Sequence, residues 1–314
     1  MSKTEENLLK IPIIRWIIKF LEKVKIPGME GMNLYDLLEM YTTGIIKGAL
    51  TARAGSIAFS FFLALFPFTL FVLTLIPYIP IEGFQEDFTE FILYSMPSSE
   101  AASALDTVIH DIAKNKYGEL LSFGFILSMF LMTNGVNAIF SGFEYTYHQI
   151  ETRTVIRQYL VSLIVSLLLV FLLLITVSVI VFLGLVINNL NEKGLVDNTV
   201  FWIRLAQYSV MIIMVYTAVS ILFYFGTKEG KKTPFFSAGA IFTTLFFILD
   251  FFIFGIYLQK FAQYNKLYGS IGTVMVVMLF IWLNSIILLL GFELNTSLSK
   301  LHKINLENKN LDHE

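Results

Sequence analysis

NKLYGSIGTVMVVMLFIWLNSIILLLGFELN, residues Asn265 to Asn295, decides how the rest of the chain is read. From Leu267 to Phe292 it contains no charged residue. A helix rises ~1.5 Å per residue and the hydrocarbon core of a bilayer is ~30 Å thick, so one run of this kind crosses a membrane. Polar groups punctuate both ends: a Tyr-Gly-Ser loop (Tyr268, Gly269, Ser270) before the span, and Glu293 and Asn295 after it.

The composition around this run agrees with it. Of 314 residues, 56% are hydrophobic and only 15% are charged, and the mean hydropathy is +0.72. Such a chain belongs in a bilayer. A net charge of -2 provides no basic field for nucleic acid. With no cysteine, disulfides, thiolate zinc sites, iron-sulfur clusters and a cysteine nucleophile are all excluded. The histidines His110, His148, His302 and His313 lie far apart and form no metal-binding pattern, and no phosphate-cradling Walker loop is present. The reading therefore assigns no catalytic residue, metal or cofactor.

Working outward, five further apolar runs read as spans: Ser56 to Ile79, Leu120 to Gly142, Tyr159 to Ile187, Leu205 to Phe225 and Phe235 to Leu258. The expected fold is an all-α integral membrane protein with six transmembrane helices. Before them, residues 1–54 read as cytoplasmic and interfacial helices. Between Ile11 and Val24, Arg15, Lys19 and Lys23 share one arc of a helix, with apolar side chains opposite. That pattern suits either an interfacial helix offering cations to anionic lipid headgroups or a helix packed on the cytoplasmic ends of the spans. Asn33 to Ile46 reads as a second short helix. Residues 81–119, between the first two spans, are acidic and carry two amphipathic patterns, which predicts an outer helical cap with a solvated face. The membrane domain is expected over 55–300 and a flexible cytoplasmic tail over 301–314. With the N-terminus inside, sixteen of the 22 Lys and Arg residues fall on cytoplasmic segments. The positive-inside rule thus puts both termini in the cytoplasm of a multi-pass inner-membrane protein.

Polar residues within spans face protein or water, because a carboxylate at mid-bilayer costs roughly 2.5 to 3.5 kcal/mol. In the fifth span Gly239, Thr243, Asp250 and Tyr257 fall on one face, which is read as pointing into the bundle. Asp250 is either a proton- or cation-binding group or a hydrogen-bonded packing residue. In the second span Asn134, Asn137 and Ser141 share a face that Glu144 and His148 would continue, and that face is either interhelical glue or a polar pathway. The opening run has two polar faces: Ser270, Thr273, Asn284, Gly291 and Asn295 on one, and Trp282 and Glu293 on the other. Glu293 is near enough to the cytoplasmic end to snorkel into the headgroups. Pro67, inside the first span, frees the carbonyl of Leu63 and predicts a kink or a broken turn. Tyr268, Gly269, Ser270, Gly272, Gly291 and Asn295 read as structural, serving the loop and close packing.

Several of these stretches resemble one family. The YGSIG opening (Tyr268 to Gly272), the FIWLNSIILLLG run and the GFELN exit (Gly291 to Asn295) are similar to the closing signature of the YihY/virulence factor BrkB family of bacterial inner-membrane proteins. AGSIAFSFFLALFPF, Ala54 to Phe68, is similar to the other marked stretch of that family, and the Lys-rich loop Lys228 to Pro234 fits as well. The likeness covers about residues 35 to 300. It implies a six-helix membrane protein. Such proteins were formerly described as a tRNA-processing ribonuclease BN, carry a virulence or serum-resistance label, and have been suggested to move lipid or envelope precursors.

Three functions follow for testing: a transporter or lipid-translocating protein without its own ATPase, a non-catalytic envelope scaffold, and a membrane-bound ribonuclease. The expected partners are membrane lipids, with an envelope protein or a second copy of the chain as further options and no nucleic acid. The transport reading rests on Asp250, Asn134 and Asn137, and the proline-bearing first span. A ribonuclease needs clustered acid-base or metal-binding groups, and the loops between spans offer no such motif.

Overall fold

A computed structural model of the chain describes residues 50–75, 118–144, 153–193, 198–228, 234–261 and 265–311, together with isolated residues 21, 23, 33, 35, 89, 90 and 93. The expected N-terminal helices and the outer cap at 81–119 lie outside the described residues, apart from those isolated positions. What is described is almost entirely helical. In order the helices are α1 (Leu50–Leu75), α2 (Gly118–Glu144), α3 (Val155–Glu192), α4 (Thr199–Gly226), α5 (Ala238–Phe261) and α6 (Asn265–Leu311).

A bilayer offers no water to satisfy backbone polar groups, so apolar runs of this length must bond internally as helix. Among the described residues five helices, α2 to α6, are long and apolar enough to cross a membrane, and Leu50–Leu65 of α1 is a shorter apolar stretch. Helix ends are set by capping groups. The Asn198 side chain accepts from Phe201 N–H at 3.1 Å to start α4, and Ser237 Oγ accepts from Ala240 N–H at 3.3 Å to start α5.

The helix bounds refine the sequence reading at several points. α1 begins at Leu50, so Arg53 lies within the helix. The helical assignment runs through Pro67 without a broken turn, and Ser128 of α2 donates to the Pro67 carbonyl. Tyr268, Gly269 and Ser270 belong to α6 itself and not to a loop, because α6 starts at Asn265. α6 also runs past Leu301 to Leu311, into the segment read as the cytoplasmic tail.

Each helix packs on its neighbours in sequence, and α6 returns to pack on α1, which closes a ring. Inside the ring α2 also touches α4 and α6. Its residues Val136, Phe140 and Phe143 stand four and three apart, on one face, and all are buried. Phe143 stacks on Phe292 of α6 with centroids 4.0 Å apart and meets Phe223 of α4 edge-on at 5.7 Å. Outward-facing side chains such as Phe171, Phe182, Phe251 and Phe252 are exposed and apolar, as a lipid-facing surface requires. A shallow groove of 380 Å³ beside Phe171, Ile175 and Phe182 is lined by α3 alone and belongs to that surface.

The α5–α6 contact depends on missing side chains. A Cβ on Gly291 would collide with Thr243 Oγ1, and one on Gly239 would collide with the Gly291 carbonyl and the Asn295 amide. The two backbones therefore touch, as small residues permit at membrane helix crossings. By contrast, a Cβ on Gly184 of α3 would meet nothing within 4 Å. Gly291→Ala should cost about 1–3 kcal/mol through overpacking, whereas Gly184→Ala should leave stability unchanged or slightly raised. Thermal unfolding of the two variants in detergent, followed by circular dichroism, checks the contrast; equal melting temperatures would contradict the close approach.

Candidate functional site

The six helices alternate in direction, so one end of the bundle collects the start of α1, the end of α2, the starts of α3 and α5, the end of α4, and Glu293 to Asn295 of α6. A polar layer occupies that end. Arg53 of α1 donates through Nη2 to Glu293 Oε1 at 2.9 Å and through Nη1 to the Gly142 carbonyl at 2.8 Å. Both partners of this ion pair are buried, with 8% and 3% of their side-chain surface exposed. Glu293 thus does not snorkel toward headgroups as the sequence reading allowed. A buried guanidinium 240 positions away in the chain holds it inside.

The opposite face of α6 clamps α5. Asn295 Oδ1 accepts from Gly239 N–H at 2.7 Å, and Asn295 Nδ2 donates to Ser237 Oγ at 2.8 Å. One amide thereby satisfies an orphan donor in the first turn of α5 and fixes the residue that caps it. Asn295 is therefore a cross-helix clamp in addition to a close-packing residue.

On the other side of the ring, Arg153 leads into α3 and closes the end of α4. Its guanidinium donates to the carbonyls of Phe225 at 2.6 Å and Thr227 at 2.8 Å, which a helix C-terminus leaves unsatisfied. Its backbone N–H donates to Glu144 at 3.3 Å. Burial lowers the Arg153 pKa from its ordinary value; Glu144 opposes that shift and Arg157 adds to it. Gln158 of α3 joins the same group. With its nitrogen toward the carboxylate it donates to both Glu144 oxygens at 3.1 and 3.2 Å, and its oxygen accepts from Ser141 at 3.2 Å. The Asn137 side chain lies 3.3 Å from that oxygen.

Asp250 sits away from this layer, on the seam between α5 and α6. Asn284 Nδ2 donates to its Oδ2 at 2.9 Å and also to the Phe280 carbonyl at 2.9 Å. Thr243, on the same face of α5, is fully buried and its hydroxyl has no partner among the described residues. Tyr257 is half-buried, with its ring 5.5 Å from that of Phe254. Three residues of the face read on α5 lie on this seam, where Asn284, Gly291 and Asn295 meet Asp250, Thr243 and Gly239. Trp282 and Glu293, set by the sequence on the other face of α6, both turn to α1, where Trp282 Nε1 donates to the Thr51 carbonyl at 3.4 Å.

The second expected group does not join Asp250. α2 packs on α1 and α3 and touches α4 and α6, but it forms no packed pair with α5. Asn137 and Ser141 face Gln158 of α3, and Asn134 is half-buried on the same helix. Glu144 ends α2, and His148 lies outside the described residues. Gly272 is buried, and Pro67 is half-buried in α1. The sequence reading missed Arg53, Arg153, Gln158 and Ser237 as site residues. Arg53 and Arg153 read only as flanking cations, and a buried partner at long sequence separation leaves no local pattern.

Removing Glu293 leaves Arg53 buried beside a single carbonyl. Glu293→Ala should therefore cost about 3–5 kcal/mol, while replacing both partners with methionine should recover much of that loss. Glu293→Gln should fall between wild type and Glu293→Ala, because its amide oxygen still accepts from Arg53. Melting temperatures of the four proteins in one detergent give this order; an unchanged Glu293→Ala melt would show that the pair carries no such constraint.

Comparison with known proteins agrees with this architecture. Residues 43–313 match the family described as Virulence factor BrkB. The chain is 31% identical over 260 residues to the ribonuclease-like protein YfkH of Bacillus subtilis, a match covering 82% of this chain and 93% of that one. It is 29% identical over 111 residues to a UPF0761 membrane protein of Pseudoalteromonas translucida, covering 34% of this chain and 35% of that one. No solved structure matches. Helical throughout its described core, with several helices apolar enough to span a bilayer, the chain belongs to the BrkB virulence-factor family of multi-pass membrane proteins.

Proposed function

We propose that the protein moves a membrane-borne substrate, a lipid or an envelope precursor, across the bacterial inner membrane. In this reading six spans carry it, both termini are cytoplasmic, and coupling comes from an ion gradient or a partner rather than from ATP. The observation that carries the reading is Asp250. It is a carboxylate within an apolar helix, where an acidic side chain costs roughly 2.5 to 3.5 kcal/mol. It is half-buried and receives one hydrogen bond, from Asn284. An ionised carboxylate has about four lone-pair sites, so acceptor capacity remains for a proton or a monovalent cation. A residue needed only to hold α5 on α6 could be an amide, since Asn offers both a donor and an acceptor at no cost in charge. The excess of Lys and Arg on the proposed cytoplasmic segments supports the orientation, and Arg15, Lys19 and Lys23 are suited to anionic headgroups.

The ribonuclease reading rests on names, that of the Bacillus relative and the former description of similar proteins, and on no arrangement of residues described in this chain. Among the described residues no group of three or more His, Asp or Glu side chains is arranged to hold a metal. No observation on the described residues favours the scaffold reading.

Purified protein in liposomes tests the proposal. Labelled phosphatidylglycerol should cross between leaflets, or a labelled solute should enter, under a proton or sodium gradient, and Asp250→Asn should cut that flux tenfold or more. The amide keeps the shape and a hydrogen bond to Asn284, so elution and melting temperature should hold. Folded wild-type protein that moves neither probe under either gradient would end the transport reading. Equal flux in the Asp250→Asn variant would remove Asp250 from the mechanism.

A further inference from the structure

We propose that the polar layer is a gate, closed in this structure, and that the Arg53–Glu293 pair and the Asn295 clamp are the latches that release it. The proposal reaches beyond the reading of Asp250 and is testable without any transport measurement.

The layer ties the six helices in one chain, from α4 through α3, α2, α1 and α6 to α5. Arg53 joins α1 to α6 through Glu293 and to α2 through the Gly142 carbonyl. Gln158 joins α2 to α3 through Glu144 and Ser141, and Arg153 joins the lead-in of α3 to the end of α4. Asn295 joins α6 to α5. At the same level the rings of Phe143, Phe223 and Phe292 pack against one another, Phe143 and Phe292 being chain neighbours of the tied residues. In this proposal the polar ties and the aromatic cluster together close this end of the bundle to water.

Three features mark the closure as reversible. First, the network is incompletely satisfied: Arg53 Nε is buried without a hydrogen-bond partner among the described residues. A buried network that leaves donors unpaired is worse for stability than apolar packing, so its retention fits a switch better than a brace. Second, the latches are hydrogen bonds and one ion pair, which small displacements break and water can replace. Third, Glu293 and Asn295 are two residues apart on one helix and point to opposite neighbours, α1 and α5. Turning α6 about its own axis withdraws both together, so one motion opens both seams.

The chain contains no cysteine, so one introduced thiol is unique. Ser285 suits the purpose: it is 4% exposed and bonds only to the Ile281 carbonyl of its own helix. It lies eight residues, or ~12 Å, deeper along α6 than Glu293. The measurement is labelling of Ser285→Cys in vesicles by a membrane-impermeant methanethiosulfonate, applied from the side that reaches a Lys228→Cys reporter. With the latches intact the thiol should react at least a hundredfold more slowly than the reporter. Adding Glu293→Gln or Asn295→Ala should raise that rate tenfold or more, and exchanging the pair (Arg53→Glu with Glu293→Arg) should restore protection. Rates within twofold of the intact protein in both latch variants, with unchanged elution and a cooperative melt above the labelling temperature to confirm folding, would overturn the gate. If the latch variants do not fold, Ser285→Cys alone decides: reaction as fast as the Lys228→Cys reporter shows that the layer does not seal. Failure of transport in liposomes alongside protected, latch-dependent labelling would leave the gate standing and remove only the transport reading.

Discussion

A guanidinium buried where three helices meet has to be answered, and in this protein the answer fixes the register of the bundle. Arg53 reaches Glu293 and the last turn of α2 at once, which sets the height of α1 against both helices. Neither charge is tolerable alone out of water, so the pair constrains geometry whether or not it adds net stability. Once α1, α2 and α6 are aligned at this level, Phe143 and Phe292 come into stacking distance, and the close approach of α5 to α6 follows from the glycines just above Asn295.

The bundle therefore uses two kinds of cohesion. Toward lipid its described surfaces are apolar. Toward its own interior, where apolar burial drives little because lipid tails are as apolar as leucine, small residues and polar bonds do the joining. Gly239 and Gly291 allow backbone contact, and Asn295, Gln158 and Arg153 convert loose helix ends into acceptor and donor pairs. Asp250 and Asn284 repeat the theme deeper on the same seam, with a carboxyl group that close packing does not require.

Local pattern carried much of this. The stripe of Asn284, Gly291 and Asn295 was legible because helical spacing alone puts those residues on one face, and the same spacing separated Trp282 and Glu293 from them. The Gly239, Thr243 and Asp250 face was legible for the same reason. What spacing does not provide is the identity of the neighbour across a seam. Arg53 and Glu293 are 240 positions apart, and each by itself looks like an ordinary flanking charge. Tyr268, Gly269 and Ser270 carry residue types that favour loops in water; in an apolar run the need to pair every backbone group overrides that preference, and they are helical. Asn134, Asn137 and Asp250 all read as inward polar residues, yet facing inward did not make them one site, because α2 and α5 do not pack together.

One feature of α6 extends past the bilayer. At 47 residues it is about 70 Å long, more than twice the thickness of the hydrocarbon core, and it has no break between Glu293 and its charged final turns. A helix without a hinge transmits torque. A displacement of the stretch beyond Lys300 would therefore be carried along one unbroken helix to the Glu293–Asn295 level, with no intervening loop to absorb it.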